Sequence, residues 1–191
     1  MKTLKLMFIG IATLGLLTSC GGSGDTAASD STVVTPAEDF NGADVMFAQM
    51  MIPHHEQAIE MSDLALDPTT SAGDTVKELA TQIKNAQDPE IQQMTGFLTA
   101  WKKSLTMDGS MDHSDMMSGM LTLEELETLA TLRGDAFDRA WITGMIAHHE
   151  GAIEMANDVL ADGKNSAVRE LATAIIAAQD AEIAEMKLLL G

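Results

Sequence analysis

Tyrosine is missing from the chain, cysteine occurs once, and lysine and arginine together number 11 against 29 aspartates and glutamates. Each shortage excludes something. A single cysteine rules out an intramolecular disulfide framework and any zinc or iron–sulfur site built on several thiolates. A formal net charge of −18 is repelled by phosphate backbones, and no basic stripe offsets it, so nucleic acid is excluded as a partner. The apolar stretch Leu6–Leu17 is too short for an ordinary bilayer span. Aromatic residues make up only 4% of the 191 positions, while methionine reaches 15. Methionine fills cores, but its thioether is also a soft metal ligand, so this excess needs an explanation.

The N-terminus reads as an address. Lys2 and Lys5 precede the apolar stretch, and Leu17-Thr18-Ser19-Cys20 follows it. A basic start, a short apolar run and a small-residue cleavage site make a secretory signal over residues 1–19. Leu-Thr-Ser-Cys also resembles the bacterial lipobox, in which cleavage leaves Cys20 as a lipid-carrying N-terminus. The alternative is an ordinary signal peptide with a chance cysteine. Residues 20–38, rich in Gly, Ser, Asp and Thr, read as a flexible tether. Losing Lys2 and Lys5 takes the charge from −18 to −20. The expectation is an exported protein, lipid-anchored in the cell envelope, with its acidic body held off anionic lipid.

The remainder, 39–191, is a duplication. Residues 44–61 align without gaps on 138–155, with ten of eighteen positions identical. Residues 76–94 align on 168–186, with twelve of nineteen identical. Apolar residues recur at helical spacing and β-branched runs are scarce. Each half (39–101 and 122–191) therefore predicts an αα-hairpin, and two such hairpins bury their apolar faces most economically as an all-α four-helix bundle. Residues 102–121 form a joiner long enough to cross the bundle. The first helices are expected over roughly 40–66 and 134–161. Pro53 and Pro89 ordinarily argue for breaks, but the second half has Ala147 and Ala181 there, so the helices should run through both prolines with kinks.

On a helical wheel at about 100° per residue, Phe47, Met51, His54, His55, Ala58 and Met61 share one stripe, and Glu56 and Glu60 oppose it. Met145, His148, His149 and Met155, with Glu150 and Glu154 opposite, repeat the pattern. Both His pairs sit near mid-helix, so four imidazoles and several thioethers can converge at one height. Neutral imidazole with thioether suits copper, particularly Cu(I), and offers little to Mg or Ca. One ion cannot take Met51, His54 and Met61 together, because ten residues span about 15 Å of helix. The bland alternative is packed structural histidines with methionine as filler. Gln87 and Gln179 fall on apolar stripes and need buried partners. Each either fixes a histidine tautomer from across the bundle or specifies the core. Asp44 and Asp138 lie about three turns from the histidines and read as hydrogen-bonding residues of helix starts or helix–helix contacts. The glutamates form a solvated face: a di-iron bundle needs Glu-x-x-His, and none is present. The joiner adds Met107, Met111, His113, Met116, Met117 and Met120 among Gly, Ser and Asp, which reads as an exposed, secondary metal-capturing tract.

The doubled Met-Ile-x-His-His-x-x-Ala-Ile-x-Met, at Met51–Met61 and Met145–Met155, with Phe137-Asp138-Arg139 before the second copy, resembles the bacterial domain-of-unknown-function 305 family over roughly 39–190. The resemblance implies a ferritin-like four-helix bundle in an exported protein. It also implies periplasmic copper binding and resistance through Met and His, as associated with some members. Carried over, Met51, His54, His55, Met61, Met145, His148, His149 and Met155 would form the site region. No Cys belongs to the pattern, which argues against a thiolate copper site.

Three functions follow. The first is an envelope-anchored copper-binding protein that sequesters or hands on the ion. The second is a non-catalytic envelope interaction module with buried structural histidines. The third is a haem bundle with His/Met ligation, for which no c-type attachment motif exists. An enzyme is not expected, since no nucleophile–base pair or oxyanion loop is legible. Self-association and a metal-handling partner stay open.

Overall fold

The computed structural model describes residues 39–107 and 117–191. The signal segment, the tether with Cys20, and Met111, His113 and Met116 lie outside the described residues. Every regular element among the described residues is helical: α1 (Gly42–Leu66), a 3-10 turn (Pro68–Thr70), α2 (Asp74–Ala100), α3 (Leu123–Thr131), α4 (Gly134–Asp162) and α5 (Ser166–Leu190). No helix among them is long and apolar enough to cross a membrane.

Local chemistry sets the helix starts. Asn41 caps α1 by accepting from the Ala43 and Asp44 amides, and the Asp44 carboxylate returns a bond from the Asn41 amide at 2.8 Å. Asn165 caps α5 in the same way on Ala167 and Val168. Both prolines lie inside unbroken helices, Pro53 in α1 and Pro89 in α2. The elements exceed the four expected by one. Helix α3 opens on a Thr122–Glu125 capping box and buries Leu126 and Leu129. Nine residues make too short a helix to stand alone, and packing on α4 holds it.

Helices α1 and α2 form one hairpin, α4 and α5 the other, and the two meet through α1 and α4. These central helices run antiparallel. The Asn41 side chain donates to the Asp162 carbonyl at one end, and the Trp141 indole N–H donates to the Met61 carbonyl further along. Matching staples tie the halves. Asp44, fully buried, accepts from the Lys164 and Asn165 amides in the α4–α5 loop. Its repeat partner Asp138 accepts from the Gly73 amide in the α1–α2 loop at 3.0 Å. Both aspartates are thus inter-hairpin hydrogen-bonding residues, and the buried one has its acceptor capacity satisfied.

The interior is two apolar clusters rather than one. The first gathers Phe47, Met51, Met94, Leu98, Ala156 and Ile175 with their neighbours. The second gathers Met61, Leu79, Ile83, Phe137, Trp141 and Met186 with theirs. Each draws on all four long helices, and the sequence positions between them hold the buried polar side chains His54, His55, Gln87, His148, His149 and Gln179. The core is therefore interrupted at its waist by a polar layer.

Candidate metal centre

The four histidines face inward because the 3.6-residue period of α1 and α4 aims two consecutive positions at either side of the contact line. None of them exposes any surface. The rings of His54 and His148 lie against each other with centroids 3.8 Å apart and a tilt of 42°, and those of His148 and His149 are 6.3 Å apart. The four glutamates expected on the outer faces, Glu56, Glu60, Glu150 and Glu154, are exposed.

Three of the rings are held by one nitrogen. His55 Nε2 donates to Glu90 Oε2 at 2.9 Å, and its repeat partner His149 Nε2 donates to Glu182 Oε2 at 2.7 Å. His54 Nε2 donates to the Ser118 carbonyl at 3.2 Å. Because carboxylate and carbonyl oxygens only accept, these contacts assign the ring proton to Nε2. The Nδ1 atoms of all four histidines are buried without a hydrogen-bond partner, and so is His148 Nε2. Anchoring one ring nitrogen on an oxygen while leaving the other bare is how ligating histidines are set up in metal proteins.

Burial decides the charge of the central pair. The His54 imidazolium is disfavoured by burial first and by the nearby His55, while its bond to Ser118 opposes the shift; the pKa is pushed down to about 3. His148 is driven well below the ordinary imidazole range by burial, then by His54, His149 and His55, with only the His54 backbone opposing. Both rings are neutral near pH 7, and their lone pairs are available to a cation.

Of the two roles open to the glutamines, that of fixing a histidine tautomer is not taken up in this arrangement. Gln87 and Gln179 are buried at this level, but neither orients a histidine: both amide atoms of Gln87 and the Gln179 oxygen lack partners. The orienting role falls to Glu90, Glu182 and the Ser118 carbonyl. Sequence reasoning passed over the two glutamates because they sit at the edge of the apolar stripe. The signal for them was present: Ala-Gln-Asp-x-Glu is repeated in α2 and α5, with the Glu three residues after the Gln. Ser118 lies in the joiner, which carries no periodicity to read.

The methionines separate into groups. Met51 and Met145 are fully buried about one turn before the histidines of their own helices. Met61 and Met155 are six or seven residues beyond the histidines, about 10 Å along the helix, and belong to the two apolar clusters. The eight residues of the expected site therefore do not meet at one point. Among the described residues, no group of three or more His, Cys, Asp or Glu side chains is set to hold a metal ion. In this arrangement the central rings lie against each other, tilted by 42°.

The joiner is less exposed than its composition suggests. Met117 is buried at 8% exposure, and Met107 and Met120 are half-buried. The chain from Met117 to Leu121 is pressed onto the bundle at the level of the histidines. Gln57 pins it with paired bonds to the Leu121 carbonyl and amide, at 2.9 and 2.8 Å. Two glycines permit the approach. A Cβ on Gly151 would lie 1.8 Å from the Ser118 oxygen, and one on Gly119, where φ is +82°, would lie 2.2 Å from the Ala147 oxygen.

Comparison with other proteins places this architecture. The family model described as a domain of unknown function, DUF305, matches residues 44–190. A DUF305 protein of Streptomyces coelicolor, assigned as secreted, is 30% identical with a TM-score of 0.71, the match covering 78% of this chain and 91% of that one. A DUF305 fragment from Deinococcus radiodurans is 33% identical with a TM-score of 0.71, over 79% and 97%. CopM in its Cu(I)-bound form is 33% identical with a TM-score of 0.62, over 76% and 94%, and CopM has also been solved with Cu(II), with silver and as the apo protein. No curated protein matches the chain. An all-helical duplication, with the family pattern running through both of its halves, makes this chain a member of the DUF305 family.

Proposed function

We propose that the protein binds copper at the histidine layer and sequesters it or hands it on in the cell envelope. The observation that carries this reading is the set of four buried Nδ1 atoms without partners, in one layer, beside two neutral rings. Each buried polar atom left unsatisfied costs about 1–3 kcal/mol, and a soft cation would supply the missing partner. His54, His55, His148 and His149 would be the nitrogen donors, with Met51 and Met145 the nearest thioethers. Glu90, Glu182 and the Ser118 carbonyl would hold the rings by Nε2. Binding requires the His54 and His148 rings, now in contact, to turn apart. That CopM, one third identical, has been solved with Cu(I), Cu(II) and silver supports the choice of ion. Export agrees with the basic and apolar start of the chain and with the secreted Streptomyces relative, and Cys20 would carry the lipid anchor. The role is binding and transfer, not catalysis.

The test is a Cu(I) titration of the chain lacking residues 1–19, under reductant and against a chromogenic competitor. A variant with all four histidines changed to Gln serves as the reference. The wild-type protein should bind at least one ion about 100-fold more tightly than the variant, a difference of about 2.7 kcal/mol. Equal affinities in two folded proteins would overturn the proposal. The hydrogen bonds His55–Glu90 and His149–Glu182 favour a second reading, an envelope interaction module with structural histidines. On that reading the variant loses the same stability with or without copper.

A further inference from the structure

We propose a second soft-metal site, built on thioethers and separate from the histidine layer, where α1 begins and α4 ends. Met46, Met50 and Met155 line one cavity of about 460 Å³, with Asp158 and Asp162 in the same wall. Met46 and Met50 are an i,i+4 pair and so neighbours on α1. The antiparallel course of α4 brings Met155 to the same height.

The duplication provides an internal comparison. At the offset of 94 that relates the halves, Met46 corresponds to Ala140, Met50 to Gly144, Asp158 to Leu64 and Asp162 to Pro68. Only Met155 finds its own kind, in Met61. The fold is therefore built equally well with small residues where α1 carries the two methionines. The matching place is also a cavity, of about 770 Å³, but Ala140 and Gly144 line it together with Leu121 and residues of α3, and no methionine is in its wall. The α1 start instead lines its cavity with three methionines, one of them, Met46, at 52% exposure. Core packing does not account for a half-exposed methionine beside an unfilled space.

The carboxylates point the same way. Asp158 and Asp162 lie in the last turns of α4, where the Leu160 and Gly163 carbonyls are capped by the Arg169 guanidinium. Neither carboxylate is in an ion pair among the described residues, and a cation in the adjacent cavity would supply a partner. Neutral thioethers select a soft monovalent ion, Cu(I) or Ag(I), over Zn, Mg or Ca. The exposed carboxylates add attraction without choosing among cations. Because the cavity opens at the surface, an ion reaches it without the ring movement that the buried layer demands.

The experiment uses the chain lacking residues 1–19, with its methionine methyls labelled with carbon-13 and assigned by single Met→Leu substitutions. It is titrated with Ag(I), and separately with Zn(II). The Met46, Met50 and Met155 methyl signals should move together with Ag(I), and not with Zn(II). They should do so equally in a His148→Gln/His149→Gln variant, and the bound-ion count should fall by one in Met46→Leu/Met50→Leu. Leucine is close in volume to the exposed Met46 and the half-buried Met50 it replaces, so that variant keeps its fold, which the unshifted remaining methyl signals would show. Silver saturation with these three signals unmoved, or an unchanged ion count in the double Leu variant, would overturn the site. Histidine ring signals recorded in the same titration report the buried layer independently, so either site can fail alone.

Discussion

His54 and His148 set the behaviour of the protein at the scale of single residues. Each is a neutral base in a site that does not solvate its charged form. The sign of the pH effect follows from linkage. In the unfolded chain an imidazole protonates near pH 6.5, while folded His54 resists down to about 3. Stability is thus fully present above about pH 6.5 and is lost as pH falls toward 3, by about 1.4 kcal/mol per pH unit for a single such group. His148, shifted in the same direction, adds to the loss. Denaturant midpoints of the metal-free protein should therefore drop steadily between pH 7 and pH 5, a range in which ordinary carboxylates contribute little. A level midpoint would mean that these rings reach water.

At the scale of elements, the strap from Met117 to Leu121 and the face of α4 beneath it depend on Gly151. Within a helix, Gly→Ala is ordinarily stabilising by about 1 kcal/mol. Here the new methyl would occupy the place of the Ser118 carbonyl oxygen, the group that holds His54 Nε2. Gly151→Ala should therefore destabilise the protein by about 1–3 kcal/mol, reversing the usual sign. It should also speed hydrogen exchange of the Leu121 amide, which Gln57 now protects. An unchanged or raised melting temperature would show that the strap does not press on α4 as described. The two buried-face aspartates, Asp44 and Asp138, act at the same scale. Each reaches from the first turns of a central helix to the loop of the opposite hairpin, and so sets the height at which the two His pairs meet.

At the scale of the whole molecule, charge and attachment matter most. A chain of net charge −18 has no electrostatic reason to lie on anionic lipid, and no described helix crosses a membrane. The proposed attachment to a membrane rests on a lipid carried by Cys20. In cells, Cys20→Ala should move the protein from the detergent-extracted membrane fraction to the soluble envelope fraction, with its copper binding intact. Retention of the variant in the membrane fraction would rule out the lipid anchor.

The all-helical fold, the duplication and the inward turn of all four histidines were legible in the sequence. They follow from a 3.6-residue period written twice in the same residues, and local backbone chemistry obeys such a pattern without reference to the rest of the chain. Helix α3 was foreshadowed only by its Thr122–Glu125 capping box, since a nine-residue helix exists through its packing on α4. The axial separation of Met61 and Met155 from the rest of the site was legible as well, since ten residues span about 15 Å of helix. The antiparallel crossing of α1 and α4 then gave each a different neighbourhood, Met61 beside Trp141 and Met155 beside Met46 and Met50. The repeated Ala-Gln-Asp-x-Glu marks Glu90 and Glu182 in the sequence, but that they reach the rings was decided by tertiary structure. A hydrogen bond from α1 to Glu90, from α4 to Glu182, or from His54 to a carbonyl 64 residues away depends on distances that no periodicity encodes.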